Sequence, residues 1–241
     1  ELLMIRSAKS ADIITTVSHS SFDDIVRGGV SAFEKIVVIS NGVKRPSLIK
    51  KKKVKGDFCL FVGTVEPRKN LIRLLQAYSS LLPSIRDRVK LLIVGGKGWG
   101  GVNLKEMIVQ LNLTENVQVL GYVDDATLAM LYSNAQFLVM PSLYEGFGLP
   151  LVEAMSYGTP VLTANNSSMP EVSGNAGLLV DALDVESIAD GLQEMITNNE
   201  LRERLAKNAK LNATRFSWDE SAKKLIKVFE KAIDLRKNKL A

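Results

Sequence analysis

The sequence has 241 residues, 46% of them hydrophobic and 24% charged, which is typical of a globular chain with a sizeable core. The single cysteine, Cys59, excludes an intrachain disulfide and favours a reducing, cytoplasmic setting. No apolar run is long enough to span a bilayer and no signal-peptide pattern opens the chain, so we expect a cytoplasmic protein, soluble or peripheral to a membrane.

The net charge of +5 and the pI of about 9.2 suit anionic small ligands or an anionic membrane surface. The densest basic patch is Lys50–Lys53, which predicts peripheral contact with an anionic inner membrane as a secondary possibility. Nucleic-acid binding is not expected, because basic and aromatic residues do not interleave and no finger motif is present. His19 is the only histidine and no cluster has metal-ligand spacing, so we expect neither a metal nor another cofactor.

The first part of the chain predicts two short strands around one helix. Residues 11–18 are typical of a strand ending in a helix cap, 20–27 of a short helix closed by two glycines, and 35–40 of a second strand. An Asn-Gly turn follows, and residues 46–56 form a basic stretch without periodicity, which predicts a linker.

From residue 57 onward, strand and helix patterns alternate up to the closing helices. This alternation predicts an α/β fold, a Rossmann-like doubly wound parallel sheet with helices on both faces, over residues 57–241. The predicted strands are 58–63, 90–95, 117–121, 136–140, 160–164 and 177–180.

Apolar residues at helical spacing predict the helices that cover this sheet. The core-facing residues of three of them are Leu71, Leu74, Leu75, Tyr78 and Leu82, then Leu104, Ile108 and Leu111, then Leu128, Leu131 and Tyr132. Asp184 starts a further helix, and the capping box at 217–220 opens the last one. Its predicted apolar stripe comprises Ala222, Leu225, Ile226 and Phe229.

A basic pair follows the first strand of this domain. Arg68 and Lys69 lie between the carboxyl end of that strand and the next helix. Arginine can bind two phosphate oxygens at once and lysine acts as a point charge, so the pair predicts a diphosphate clamp. We expect it to lie near Glu145, which follows another strand of the same sheet.

The glycine-rich segment 96–101 gives a competing signal. It fits the dinucleotide fingerprint in outline, with Asp124 further along the chain. A nicotinamide site, however, would leave Arg68, Lys69, Glu145 and Glu153 without roles, and the glycines follow the second strand of the domain. A loop at the edge of the site is the better interpretation.

A strand-to-helix turn follows the strand at 136–140. Gly146 and Gly148 permit a sharp bend, and Pro150 suits the first turn of a helix. The free N–H groups of that helix would face outward at the carboxyl end of a strand, where open parallel sheets bind ligands and phosphate is favoured. Glu145 and Glu153 frame the turn, and we place Glu153 in the first helical turn.

The spacing of Glu145 and Glu153 around Gly146–Pro150 resembles the signature of retaining glycosyltransferases of family 4, which have the two-domain GT-B fold. The resemblance runs from about residue 12 to about residue 233. It implies that residues 1–45 are a remnant of the N-terminal, acceptor-binding domain and that 57–241 is the C-terminal domain, which binds the nucleotide sugar. We therefore expect the isolated chain to bind a nucleotide diphosphate without transferring sugar.

The resemblance also implies roles for individual residues. Glu145 would contact donor-sugar hydroxyls, Glu153 the ribose, and the backbone of the glycine turn the sugar and diphosphate. The implied catalytic set is Glu145, Lys69 and Arg68. The implied donor-binding set is Gly63, Thr64, Arg68, Lys69, Tyr122, Val123, Glu145, Gly146, Phe147, Gly148, Leu149 and Glu153.

The chain departs from the common pattern at one position. Thr64 stands where many members of the family have an arginine, and Arg68 is a candidate substitute. The loop with Arg68 and Lys69, together with Lys97–Gly100, is most similar to that of bacterial surface-polysaccharide (O-antigen) mannosyltransferases.

The implied reaction is transfer of a hexose, with retention, from a nucleotide diphosphate sugar to a glycan or polyprenyl-linked acceptor. GDP-mannose is the favoured donor and a UDP-sugar the alternative. A sugar-nucleotide epimerase of the same fold and a non-catalytic nucleotide-sugar-binding module remain as other possibilities.

Overall fold

The computed structural model describes residues 2–44, 56–100 and 103–240. The chain divides into two compact units, residues 1–44 with 216–241, and residues 45–215. The last helix, which the sequence groups with 57–241, falls in the first unit of this division. The basic run Lys50–Lys53 and all of the predicted linker except Gly56 lie outside the described residues.

The first unit combines a small parallel strand pair with helices. Ser18, predicted as a helix cap, accepts a hydrogen bond from the Ser21 amide through its side chain. The two strands pair in parallel, with Ile14 opposite Ile36. The first helix was not predicted. The elements of this unit are α1 (Leu2–Ser10), β1 (Ile14–Thr16), α2 (His19–Arg27), β2 (Ile36–Val38) and α11 (Trp218–Leu240), with a 3-10 turn at Phe33–Lys35.

The second unit is built on a six-stranded parallel sheet of order β5-β4-β3-β6-β7-β8. Each strand begins at or within one residue of its predicted start. The two middle strands, 58–62 and 137–140, are apolar throughout because both faces of the sheet are covered. The strands are β3 (Phe58–Val62), β4 (Lys90–Val94), β5 (Val117–Gly121), β6 (Phe137–Met140), β7 (Val161–Ala164) and β8 (Gly177–Val180).

Eight helices lie in the described part of this unit. They are α3 (Leu71–Ser80), α4 (Pro83–Arg86), α5 (Leu104–Gln110), α6 (Asp125–Asn134), α7 (Leu149–Ser156), α8 (Met169–Ser173), α9 (Val185–Thr197) and α10 (Asn199–Ala213), with 3-10 turns at Pro67–Lys69 and Gly174–Ala176. Helix α3 packs with α9, whereas α7 packs with α6, α8 and α10. The unit therefore has the predicted doubly wound α/β fold.

The order of the strands creates a crevice in the middle of the sheet. Strands β3 and β6 are neighbours, with Cys59 opposite Phe137. The chain leaves β3 toward β4 on one side and leaves β6 toward β7 on the other. Open α/β sheets bind ligands outside the carboxyl ends of strands at such a reversal. The loops after β3 and β6 are therefore the natural place for a site.

Two predicted core assignments are wrong. Leu82 is 63% exposed, because α3 ends at Ser80 and the chain turns before Pro83 opens α4. The predicted stripe of α11 is also exposed, including Phe229 at 58%. This helix packs through the face that bears Ser221, whose hydroxyl donates to the Ser40 carbonyl, and the buried Val228 seven residues later.

Candidate active site

The turn after β6 has the geometry expected of a ligand-binding helix start. Gly148 is the N-cap of α7 and has φ of +96°, which favours glycine. Pro150 lies in the first helical turn, where a missing N–H is harmless. The Gly148 and Leu149 amides make no hydrogen bond within the described part of the chain. They are therefore available to an anion at the positive end of the helix.

The loop after β3 is fixed to this turn by Asn70. Asn70 has a left-handed backbone, with φ of 61°, and is 3% exposed. Its side-chain amide donates to the carbonyls of Pro141 at 2.9 Å and Ala182 at 2.7 Å. The Leu143 amide also donates to the Arg68 carbonyl at 2.8 Å. These bonds hold the two loops at a fixed separation.

Three of the predicted site residues meet in one cluster between these loops, with Lys69 and Glu145 buried and the Arg68 side chain 39% exposed. Lys69 Nζ donates to Glu145 Oε1 at 2.6 Å, and Arg68 Nη1 donates to Glu145 Oε2 at 2.5 Å. Arg68 Nη1 also donates to the Tyr144 carbonyl, and Nη2 donates to Glu66 Oε1 at 2.5 Å. Glu145 and Lys69 are 7% and 8% exposed, so their charges depend on one another.

The charges of this cluster balance, because the cations Arg68 and Lys69 face the carboxylates of Glu66 and Glu145. Burial by itself lowers the pKa of Arg68, but the hydrogen bond and charge of Glu145, with the charge of Glu66, raise that pKa overall. Each oxygen of Glu145 accepts from one cation and keeps a second lone pair. The ammonium of Lys69 likewise keeps N–H groups that could donate to a ligand. The cluster can therefore accept from hydroxyls and donate to an anion at once.

Two serines position the Glu145 turn. The Glu145 amide donates to Ser167 Oγ at 3.1 Å, and Ser168 Oγ donates to the carbonyls of Glu145 at 2.9 Å and Phe147 at 3.0 Å. Ser168 is fully buried. Neither serine was among the predicted site residues. The run of small polar residues directly after a buried strand was the available signal.

Glu66 is a second residue that the sequence reading did not single out. Besides holding Arg68, its Oε2 accepts from Trp99 Nε1 at 3.1 Å. The loop bearing Trp99 is joined to the loop after β3, since the Val65 amide donates to the Gly96 carbonyl at 3.1 Å. Helix α5 begins only at Leu104. The glycines therefore do not open a helix as a dinucleotide fingerprint requires, and the segment is a loop beside the site.

The comparison with known proteins identifies the family. The family model described as "Glycosyl transferases group 1" matches residues 44–212. The chain belongs to the group 1 glycosyltransferases. It is 36% identical over 235 residues to O-antigen chain mannosyltransferase B of Escherichia coli, covering 93% of this chain and 62% of that protein. It is also 36% identical over 188 residues to O-antigen chain mannosyltransferase RfbU of Salmonella typhimurium, covering 77% of this chain and 51% of that protein.

Solved structures agree with the GT-B fold. Sucrose-phosphate synthase from Thermosynechococcus elongatus superposes with a TM-score of 0.83 at 24% identity, covering 97% of this chain and 61% of that one. Anabaena HepE in complex with UDP and glucose superposes with a TM-score of 0.80 at 21% identity, covering 94% of this chain and 66% of that one. The chain spans between about half and two thirds of the length of these proteins. Within the residues described for this glycosyltransferase, no helix is both long and apolar enough to cross a bilayer.

The remaining predicted residues of this glycosyltransferase lie outside the charge cluster. Thr64 is exposed and makes no hydrogen bond within the described residues. Tyr122 is 85% exposed. Gly121 lines a pocket of about 610 Å³ together with Lys97 and Trp99, and Val123 is half-buried nearby in the chain. Gly63 lies against the side chain of Lys69.

Glu153 requires one correction. It is not in the first turn of its helix, because α7 begins at Leu149 and Glu153 starts the second turn. Its carboxylate makes no hydrogen bond or ion pair with the described residues of the cluster. Instead, Glu153 Oε2 accepts a hydrogen bond at 2.8 Å from the hydroxyl of Tyr132 on α6.

Proposed function

We propose that this chain supplies the donor-binding half of a retaining mannosyltransferase. It would transfer mannose from a nucleotide diphosphate sugar, with GDP-mannose favoured over a UDP-sugar, to a glycan or polyprenyl-linked glycan of a bacterial surface polysaccharide. The observation that carries the proposal is the cluster of Lys69, Arg68 and Glu145 beside the free amides of α7. The choice of mannose is supported by the names of the two O-antigen mannosyltransferases that it resembles.

The proposed chemistry is charge stabilisation of a leaving group. The bond between the anomeric carbon and the diphosphate oxygen breaks, a new bond to the acceptor oxygen forms on the same face, and the proton of the acceptor hydroxyl passes to the released diphosphate. Negative charge grows on the diphosphate, where Lys69, Arg68 and the amides of Gly148 and Leu149 would donate to it. Glu145 would accept from sugar hydroxyls through its remaining lone pairs. Arg68 would take the part that the arginine at the Thr64 position plays in other members.

Two features favour Arg68 over Thr64 as the residue that would bind the diphosphate together with Lys69. The guanidinium of Arg68 is held by Glu66 and Glu145 at 2.5 Å each, so its position is defined before a ligand arrives. A side chain so fixed loses less conformational entropy when it binds phosphate. Thr64 carries no charge and offers at most one hydroxyl donor.

The proposal is tested first by nucleotide binding. GDP should raise the melting temperature of the purified chain more than UDP at equal concentration, since a ligand at about 100 times its Kd adds about 2.7 kcal/mol of stability. GDP-mannose with a polyprenyl-linked acceptor and the full-length protein should then yield an extended glycan, detected by mass. Failure of both nucleotides to shift the melting temperature would contradict the donor site. Conversion of donor alone to another sugar would favour an epimerase, which the mannosyltransferase relatives do not support.

Replacing Glu153 with alanine should weaken GDP binding by about tenfold, because a carboxylate accepting from the ribose hydroxyls contributes about 1.5–3 kcal/mol per bond, part of which water replaces. Calorimetry measures the change. Since Glu153 also accepts from Tyr132, the alanine variant should lose about 1–2 kcal/mol of stability as well.

The matched control is Glu153→Gln, which keeps an acceptor for Tyr132 and removes the charge. It should retain the stability of the parent and still bind GDP more weakly. If GDP affinity is unchanged in both variants, Glu153 does not contact the nucleotide.

A further inference from the structure

Tyr132 is a buried tyrosine whose hydroxyl is directed at Glu153 from a neighbouring helix. The side chain is 2% exposed, and its hydroxyl donates to Glu153 Oε2 at 2.8 Å across the contact between α6 and α7. A buried tyrosine hydroxyl needs a hydrogen-bond partner, and Glu153 supplies it. Glu153 makes no other side-chain hydrogen bond within the described part of the chain, so this bond determines where its carboxylate points.

Tyr132 is held at both its backbone and its ring. Its backbone carbonyl accepts from Thr159 Oγ1 at 2.5 Å, which fixes the end of α6 to the segment before β7. Its ring stacks on Tyr157, with 6.0 Å between centroids and 16° between planes. The hydroxyl therefore has one position from which to donate, and Glu153 is oriented by a rigid group rather than by solvent.

The hydroxyl also keeps its proton. Burial, followed by the charge and hydrogen bond of Glu153, raises the pKa of Tyr132 well above its ordinary value. At neutral pH the phenol of Tyr132 therefore stays protonated and donates to Glu153. One oxygen of Glu153 is occupied by this bond, and the other oxygen remains available to a ligand.

We propose that Tyr132 is a positioning residue for the donor nucleotide: it holds Oε2 of Glu153 so that Oε1 faces the ribose hydroxyls. This inference rests on the proposed function, in which Glu153 binds the ribose. The preference for ribose over deoxyribose nucleotides would then depend on a tyrosine that does not itself touch the ligand.

The test compares ribose and deoxyribose nucleotides by calorimetry. The parent chain should bind GDP about tenfold more tightly than 2′-deoxy-GDP or 3′-deoxy-GDP, since each lacks one hydroxyl for the carboxylate. In Tyr132→Phe, we expect this preference to fall to about threefold or less, with the affinity for the deoxynucleotides nearly unchanged. A parallel series with UDP covers the other candidate donor.

Tyr157→Phe is the matched control, because it removes the other hydroxyl of the stacked pair, which makes no hydrogen bond in the described residues. It should keep the full preference for ribose. Melting curves of all variants establish that each is folded, and Glu153→Gln, which leaves Tyr132 in place, should also lose the preference.

Two results would overturn this inference while leaving the proposed function intact. One is a preference for ribose that survives in Tyr132→Phe, and the other is an equal loss of affinity for ribose and deoxyribose nucleotides, which is the signature of a purely structural role. If the parent binds GDP without preferring ribose, the assignment of Glu153 is wrong and the inference falls with it. If the parent binds neither nucleotide, the proposed function itself fails.

Discussion

Replacing Glu145 with alanine is expected to lower the free energy of unfolding by about 3–5 kcal/mol, the largest stability effect we predict. Glu145 is 7% exposed and accepts from both Lys69 and Arg68. Without it, the buried ammonium of Lys69 loses its carboxylate partner, and a buried unpaired charge is costly. Urea denaturation of the purified variant measures the change.

A double variant separates the charge effect from simple loss of packing. Glu145→Ala combined with Lys69→Met removes both buried charges and should recover at least half of the lost stability. The exposed pair of Glu220 and Lys223 provides a reference, and Glu220→Ala should change stability far less than Glu145→Ala, because solvent screens the pair. If Glu145→Ala is no more damaging than Glu220→Ala, the buried pair does not contribute as argued.

Replacing Lys69 with alanine is expected to weaken GDP binding by about 10- to 100-fold while changing guanosine binding less than about twofold. The ammonium of Lys69 can donate charge-assisted hydrogen bonds to phosphate oxygens and offers nothing specific to a nucleoside. Calorimetry with GDP and with guanosine gives the two ratios.

Lys90→Ala is a control for net charge. Lys90 is exposed at the first residue of β4, at the opposite end of the strand from the clamp, so its removal should leave both affinities within about twofold. Equal losses for GDP and guanosine in Lys69→Ala would show that Lys69 supports the fold of the site and does not clamp the diphosphate.

Much of the fold could be predicted because its signals are local. The central strands β3 and β6 are short apolar runs, since both faces of the sheet are covered there. Helix starts could be predicted equally well. The Asp184 side chain accepts from the Glu186 amide, as expected of a helix cap directly before an apolar stripe. The meeting of Arg68, Lys69 and Glu145 also follows from local signals, because all three directly follow strands of one parallel sheet.

Contacts between side chains of different elements could not be predicted in the same way. The bond between Tyr132 and Glu153 depends on how α6 and α7 are rotated against each other, which no spacing in either helix specifies. Tyr132 was correctly expected to face the core, but as an apolar residue. Glu66 precedes a proline and is typical of a turn, so nothing in the sequence indicates that it holds both Arg68 and Trp99. The apolar stripe of α11 was wrongly predicted to be buried for the same reason. Apolar spacing shows which residues share a helix face, but not which element that face packs against.

The balanced charges of the cluster have a consequence for turnover. Because Lys69 and Arg68 are already paired with Glu145, a diphosphate bound as proposed would share both cations with a carboxylate that is permanently attached to the protein. Binding would add negative charge to a cluster whose charges already balance, which makes it weaker than binding to bare cations. After transfer of the sugar, the same carboxylate would help the nucleotide product to dissociate by repelling it. Glu145 would then limit product inhibition, at the cost of a lower affinity for the donor.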